Sequence, residues 1–91
     1  MAAGDKTLMH VDTTAKCKKE YWQITTDGSG DVVMQTGLAR VIAVEWAWLA
    51  DIGATPSVPE FVIDNDANTV TVTIANTTGI DALMSVTLIG F

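Results

Sequence analysis

Several clusters in this chain carry side chains that could do chemistry. Asp64-x-Asp66-x-Asn68 sets three side-chain oxygens at alternate positions, the spacing with which a calcium loop opens. Such a loop also needs glycine at its sixth position and a bidentate carboxylate at its twelfth; here those positions hold Thr69 and Ala75. Asp27, Ser29 and Asp31 repeat the pattern and fail in the same way, with Leu38 at the twelfth position. Turns in which Asp and Asn side chains bond their own backbone account for both clusters. His10 is the single histidine and Cys17 the single cysteine, so neither a cysteine-based metal site nor an intrachain disulfide can form. Hydrolytic catalysis needs a nucleophile, a base and an orienting group. His10 and Cys17 lie in the least regular part of the sequence, with no elbow or oxyanion loop around them, and no glycine-rich phosphate loop occurs. The chain is therefore not expected to be an enzyme or to hold a cofactor or a metal. Asn76-Thr77-Thr78 matches a glycosylation sequon and also reads as a polar turn. Trp22, Trp46 and Trp48 remain: indoles serve a core or a subunit interface, and a flat sugar can stack on them when they are exposed.

These residues must be positioned by a single core, because 91 residues cannot support two. Hydrophobic residues make up 48% and charged residues 18%, below the ~25% usual for globular proteins. That balance predicts burial beyond what one small monomer provides, hence self-association. The net charge of −6 is unevenly spread. Lys6, Lys16, Lys18 and Lys19 precede residue 20 and only Arg40 is basic thereafter, whereas Glu20, Asp27, Asp31, Glu45, Asp51, Glu60, Asp64, Asp66 and Asp81 follow. An acidic body repels a phosphate backbone, so nucleic acid is not an expected partner. The most hydrophobic window, Val41–Ala50, is too short for a membrane helix and contains Glu45. The segment MAAGDKTLMH lacks the apolar run of a secretory signal, so synthesis in a cytoplasm is expected.

Period-two alternation dominates from Tyr21 onward. Phe61–Ile74 reads as a hairpin, in which Phe61 and Ile63, then Val70, Val72 and Ile74, share one face, with a turn between them. Tyr21–Thr25 and Asp31–Gln35 flank Asp27-Gly28-Ser29-Gly30 and predict a second hairpin. Leu38–Ala50 can be drawn as a helix, with a Leu38, Val41, Ile42, Trp46 and Leu49 stripe. Its β-branched residues and tryptophans favour a strand carrying Ile42, Val44, Trp46 and Trp48 on one face. Pro59 marks a strand start or an edge, and Ala82–Phe91 alternates again. Residues 1–19 show no sustained period and are expected to be an arm ordered by a partner, with Thr7–Val11 a possible short strand. The fold expected for residues 20–91 is an all-β, jelly-roll-like antiparallel sandwich of six to eight short strands.

This chain resembles the small head-associated proteins of tailed bacteriophages, the capsid decoration or cement proteins. The likeness lies in Thr36-Gly37-Leu38-Ala39-Arg40-Val41, the Thr/Val alternation of Asn68–Ile74 and the glycine-ended strand Val86-Thr87-Leu88-Ile89-Gly90, and it spans residues 21–91. The resemblance implies a virion protein on the capsid surface, often a homotrimer, that braces the major capsid protein non-covalently. On that reading Lys6, Lys16, Lys18 and Lys19 face acidic shell residues, Trp46 and Trp48 serve the trimer, and the apolar Phe91 end is paired or docked. The alternatives are a small carbohydrate- or host-binding sandwich, or a tail or spike component.

Overall fold

A computed structural model describes residues 4–13, 16–50, 59–65, 69–75 and 81–91. It is all-β, with seven strands among the described residues: β1 (Lys6–Asp12), β2 (Lys18–Thr25), β3 (Val32–Gln35), β4 (Val41–Trp48), β5 (Glu60–Asp64), β6 (Thr71–Ala75) and β7 (Leu83–Gly90). Two antiparallel sheets form, with strand orders β1-β2-β7-β4 and β3-β6-β5. Together they make a small β-sandwich.

Alternation explains how each strand meets the other sheet. Along β7, Met84, Val86 and Leu88 point inward and are fully buried, whereas Leu83, Ser85, Thr87 and Ile89 face outward and are half-buried. On β2 the inward set is Glu20, Trp22 and Ile24, on β3 Val32 and Met34, and on β6 Val72 and Ile74. These side chains, with Leu38, Val41 and Val70, form the core. At roughly 1.5–3 kcal/mol for each large apolar side chain removed from water, this layer supplies the main favourable term in folding.

The winding follows from the pairings. β2 pairs with β7 and, nested inside that pair, β3 pairs with β6; β4 then adds to the far side of β7 and β5 to the far side of β6. This is the jelly-roll order with one strand pair fewer, extended by β1. The hairpin expected over Phe61–Ile74 is present as β5 and β6, and the Leu38–Ala50 stretch forms the strand β4.

Three expectations change. The Tyr21–Gln35 stretch is not a hairpin: β2 and β3 lie in different sheets, and the glycine turn carries the chain from one layer to the other. Thr26 holds that crossing, since its backbone N–H donates to the Ala82 carbonyl and its hydroxyl accepts from the Ala82 N–H. Residues 6–12 lie in the segment expected to be a partner-ordered arm; the short strand possible at Thr7–Val11 is present, but as a strand of the main sheet paired to β2 of the same chain. Ile42 is exposed and Val41 is buried in its place, because the register with β7 shifts between Val41 and Ala43.

Gly90 is where that shift matters most. A Cβ at this position would come within 1.8 Å of the Arg40 carbonyl oxygen, so the close approach of the two backbones requires glycine. Beyond it, Phe91 donates its N–H to Arg40 and accepts from Ala39, which extends the pairing past β7.

Candidate functional site

The strand that does not share in the core is β1. Its residues from Lys6 to Val11 are all exposed, and Asp12 is half-buried. It is bonded on one side only, to β2, and forms the outer edge of the four-stranded sheet. Directly opposed residues share a face, so the register assigns the side chains. Lys6, Leu8 and Val11 lie opposite Ile24, Trp22 and Glu20 and so belong to the inner face; Thr7, His10 and Asp12 lie opposite Gln23, Tyr21 and Lys19 on the outer face. A β-bulge between Leu8 and His10 makes Met9 the extra residue.

The facing sheet ends at β3, so among the described residues no strand covers the inner face of β1. Leu8, Met9 and Val11 remain 43%, 56% and 41% exposed as a result. Lys6 spans the gap, donating from Nζ to the Val33 carbonyl of β3 at 2.5 Å. It caps an edge carbonyl of its own chain. The remaining lysines lie at or next to β2: Lys16 and Lys18 exposed, Lys19 half-buried opposite Asp12. On the outer face, His10 stacks on Tyr21, with ring centroids 5.8 Å apart. Cys17 precedes β2, half-buried and free of any disulfide.

Beneath this edge sits a buried carboxylate. Glu20 is 3% exposed. Its Oε1 accepts from the Thr36 hydroxyl at 2.6 Å and from Trp22 Nε1 at 3.1 Å, and its Oε2 accepts from the Gly37 N–H at 2.9 Å. Thr36 in turn accepts from the Leu38 N–H. A carboxylate so satisfied is a structural tie: it holds the β3–β4 connection against β2.

Trp46 and Trp48 lie on β4, the opposite edge of the same sheet. With Val44 they point inward, half-buried, and pack against the core. Their rings meet edge to face at 6.1 Å, and Trp46 lies 6.3 Å from the Phe61 ring of β5. Asn65, at the end of β5, ties that side shut: its side chain accepts from the Val41 N–H and donates to the Val41 carbonyl, copying a strand partner. Phe91 is exposed beyond β7. The residues singled out in the sequence therefore occupy two regions. The lysines gather at β1 and β2, the two tryptophans lie two strands away, and among the described residues no cleft joins them.

The chemistry-bearing clusters resolve into turns where they are described. Asp27 Oδ1 accepts from the Ser29 N–H, and Asp81 Oδ1 accepts from the Gly28 N–H, so these carboxylates order the crossing between sheets. Asp66 and Asn68, and the sequon Asn76–Thr78, lie outside the described residues. Among the described residues no three His, Cys, Asp or Glu side chains gather as a metal-binding group, and no helix is long and apolar enough to cross a membrane.

Sequence reasoning missed Glu20 and Asn65. Glu20 had a signal, since it is in step with Trp22 and Ile24 on the inward face; Asn65 had none beyond its place in a turn.

No family model, no curated protein sequence and no solved structure matches this chain.

Proposed function

We propose that this protein is a structural component of a virus particle, a decoration or cement protein that binds the outside of a tailed-phage head and braces the major capsid protein by non-covalent contacts. The observation that carries this reading is an uneven spread of charge across the sandwich. Exposed Lys16 and Lys18 lie with Lys19 at the β1–β2 side, partly offset by Asp5 and Asp12, while Glu45, Glu60 and Asp64 lie on β4 and β5 at the other, offset only by Arg40 before β4. A polarised small domain with exposed apolar side chains at its edges suits attachment to an acidic protein surface in one orientation. Lys6 takes no part, because its ammonium is held by Val33.

The mechanism is linkage. Copies that bind only the assembled shell lower the free energy of that state, and many weak contacts on a repeating surface add up through avidity. The inward packing of Trp46 and Trp48 against the core, with Trp46 beside Phe61, suits a scaffold role better than a sugar platform, which needs an open ring face.

Co-sedimentation of the purified chain with capsids of the virus that carries it tests the reading. Bound protein is expected in the pellet, with a raised disruption temperature of the shell, and Lys16→Glu with Lys18→Glu is expected to abolish both while the fold persists. Absence of binding to those capsids would overturn the proposal. A tryptophan fluorescence change on titration with a glycan panel would favour the carbohydrate-binding alternative instead.

A further inference from the structure

We infer that the free edge of β1 is a self-pairing surface, on which a second copy of this chain adds its own β1 antiparallel about a two-fold axis to make one continuous eight-stranded sheet. This does not rest on the decoration reading, and it differs from the three-fold association that the phage resemblance implies.

Among the described residues four strands lie at sheet edges: β1 and β4 in one sheet, β3 and β5 in the other. Three of them are poor choices for a like-charged copy. β4 carries Glu45, β5 carries Glu60 and Asp64, and Asn65 already bonds the Val41 backbone at the start of β4. β3 is four residues long, and Lys6 holds its Val33 carbonyl. β1 has seven residues, and its exposed centre, Leu8-Met9-His10-Val11, contains no carboxylate.

Symmetry and shape then fix the direction and the register. Two copies that keep the same face of a continuous sheet inward are related by a two-fold axis perpendicular to it, and that axis sets the two β1 strands antiparallel. The bulge sets the offset. Without it, a strand alternates faces strictly; with Met9 inserted, Leu8 and Val11 share the inner face although they are three residues apart. Opposed residues in the continuous sheet must share a face, and the register that satisfies this along the whole of β1 puts Leu8 opposite Val11 of the mate, twice by symmetry. The two pairs close over the strip that neither three-stranded sheet reaches, and they cover the apolar side chains that the monomer leaves in water. Shifting the register by one residue would turn leucine toward the polar outer face.

Sedimentation and cysteine pairing test this on the full chain, with Cys17→Ser as background. The protein is expected to sediment as a concentration-dependent dimer, with the monomer emerging on dilution. Leu8→Cys and Val11→Cys should each stay reduced alone under mild oxidation, since neither residue meets its own copy. Mixed, they should give a disulfide-linked dimer, because directly opposed residues place Cα atoms ~5.5 Å apart, within disulfide reach. Circular dichroism confirms that each variant is folded. A monomer up to roughly 100 μM, weaker than this apolar strip should give, overturns the inference. So does a trimer, and so does a dimer in which the mixture cross-links no faster than either variant alone.

Discussion

β7 and β1 belong to the same sheet, have nearly the same length and are both paired to β2, yet they share almost nothing else. β7 lies between two strands and alternates buried with half-buried along its whole length; β1 lies outside β2, with six of its seven residues exposed. The difference lies in what stands opposite. Sheet β3-β6-β5 covers β7, and stops short of β1. An apolar residue on β7 is thus accounted for by folding, whereas Leu8, Met9 and Val11 on β1 stabilise this chain little and are available for contact with something else.

Truncation at the centre should break the contrast most violently. Leu88→Ala removes a fully buried side chain between the sheets and is expected to cost about 3 kcal/mol, read as a lower denaturant midpoint at unchanged slope. A loss below about 1 kcal/mol would mean that β7 is not the core strand described. Next comes the strand both regions share. Glu20→Ala leaves Trp22 Nε1, the Thr36 hydroxyl and the Gly37 N–H without their acceptor, at an expected cost of about 2–3 kcal/mol. Glu20→Gln keeps the shape and should recover part of this in the same unfolding experiment. Gly90→Ala forces a methyl into the Arg40 carbonyl, so about 2 kcal/mol should be lost as β7 and β4 part at that end; amide exchange of Phe91 would accelerate first. The smallest effect belongs to β1. Met9→Thr should change stability by less than ~0.5 kcal/mol, and a larger loss in thermal melts would show that β1 is more deeply engaged in the fold than its exposure indicates.

The same contrast explains what the sequence discloses. Strands with one covered face show themselves: β5 and β6 are legible from alternation, and β4 from its β-branched residues and tryptophans. β1 is legible only as the possible short strand at Thr7–Val11 and not as part of the main sheet, because its residues are exposed and the bulge at Met9 breaks the period just where a pattern would have to emerge. Asp27-Gly28-Ser29-Gly30 reads as a hairpin turn because turn chemistry records that the chain reverses, and is silent on whether it returns to the same sheet. Glu20 follows Lys18 and Lys19 and passes for part of a solvated charged run, although its step with Trp22 and Ile24 marks it as inward. The candidate surfaces follow this division. The lysine cluster is visible as composition, whereas the uncovered strip beside it depends on the mismatch between four strands and three, which no local pattern encodes.

The place of β7 in the sheet has a consequence in time. It is the shared neighbour of β2 and β4, yet it is synthesised after all six other strands, and its pairing joins Lys18 to Gly90. Neither the centre of the four-stranded sheet nor the core can close until that segment has emerged, so folding is expected to be slow for so small a domain. The β1–β2 ribbon, local in sequence, can form first and wait with its apolar side chains in water. For that interval the nascent chain presents the edge strand β1 without a core behind it, and crowding of partly made chains on one message is the condition under which it is most exposed to premature pairing.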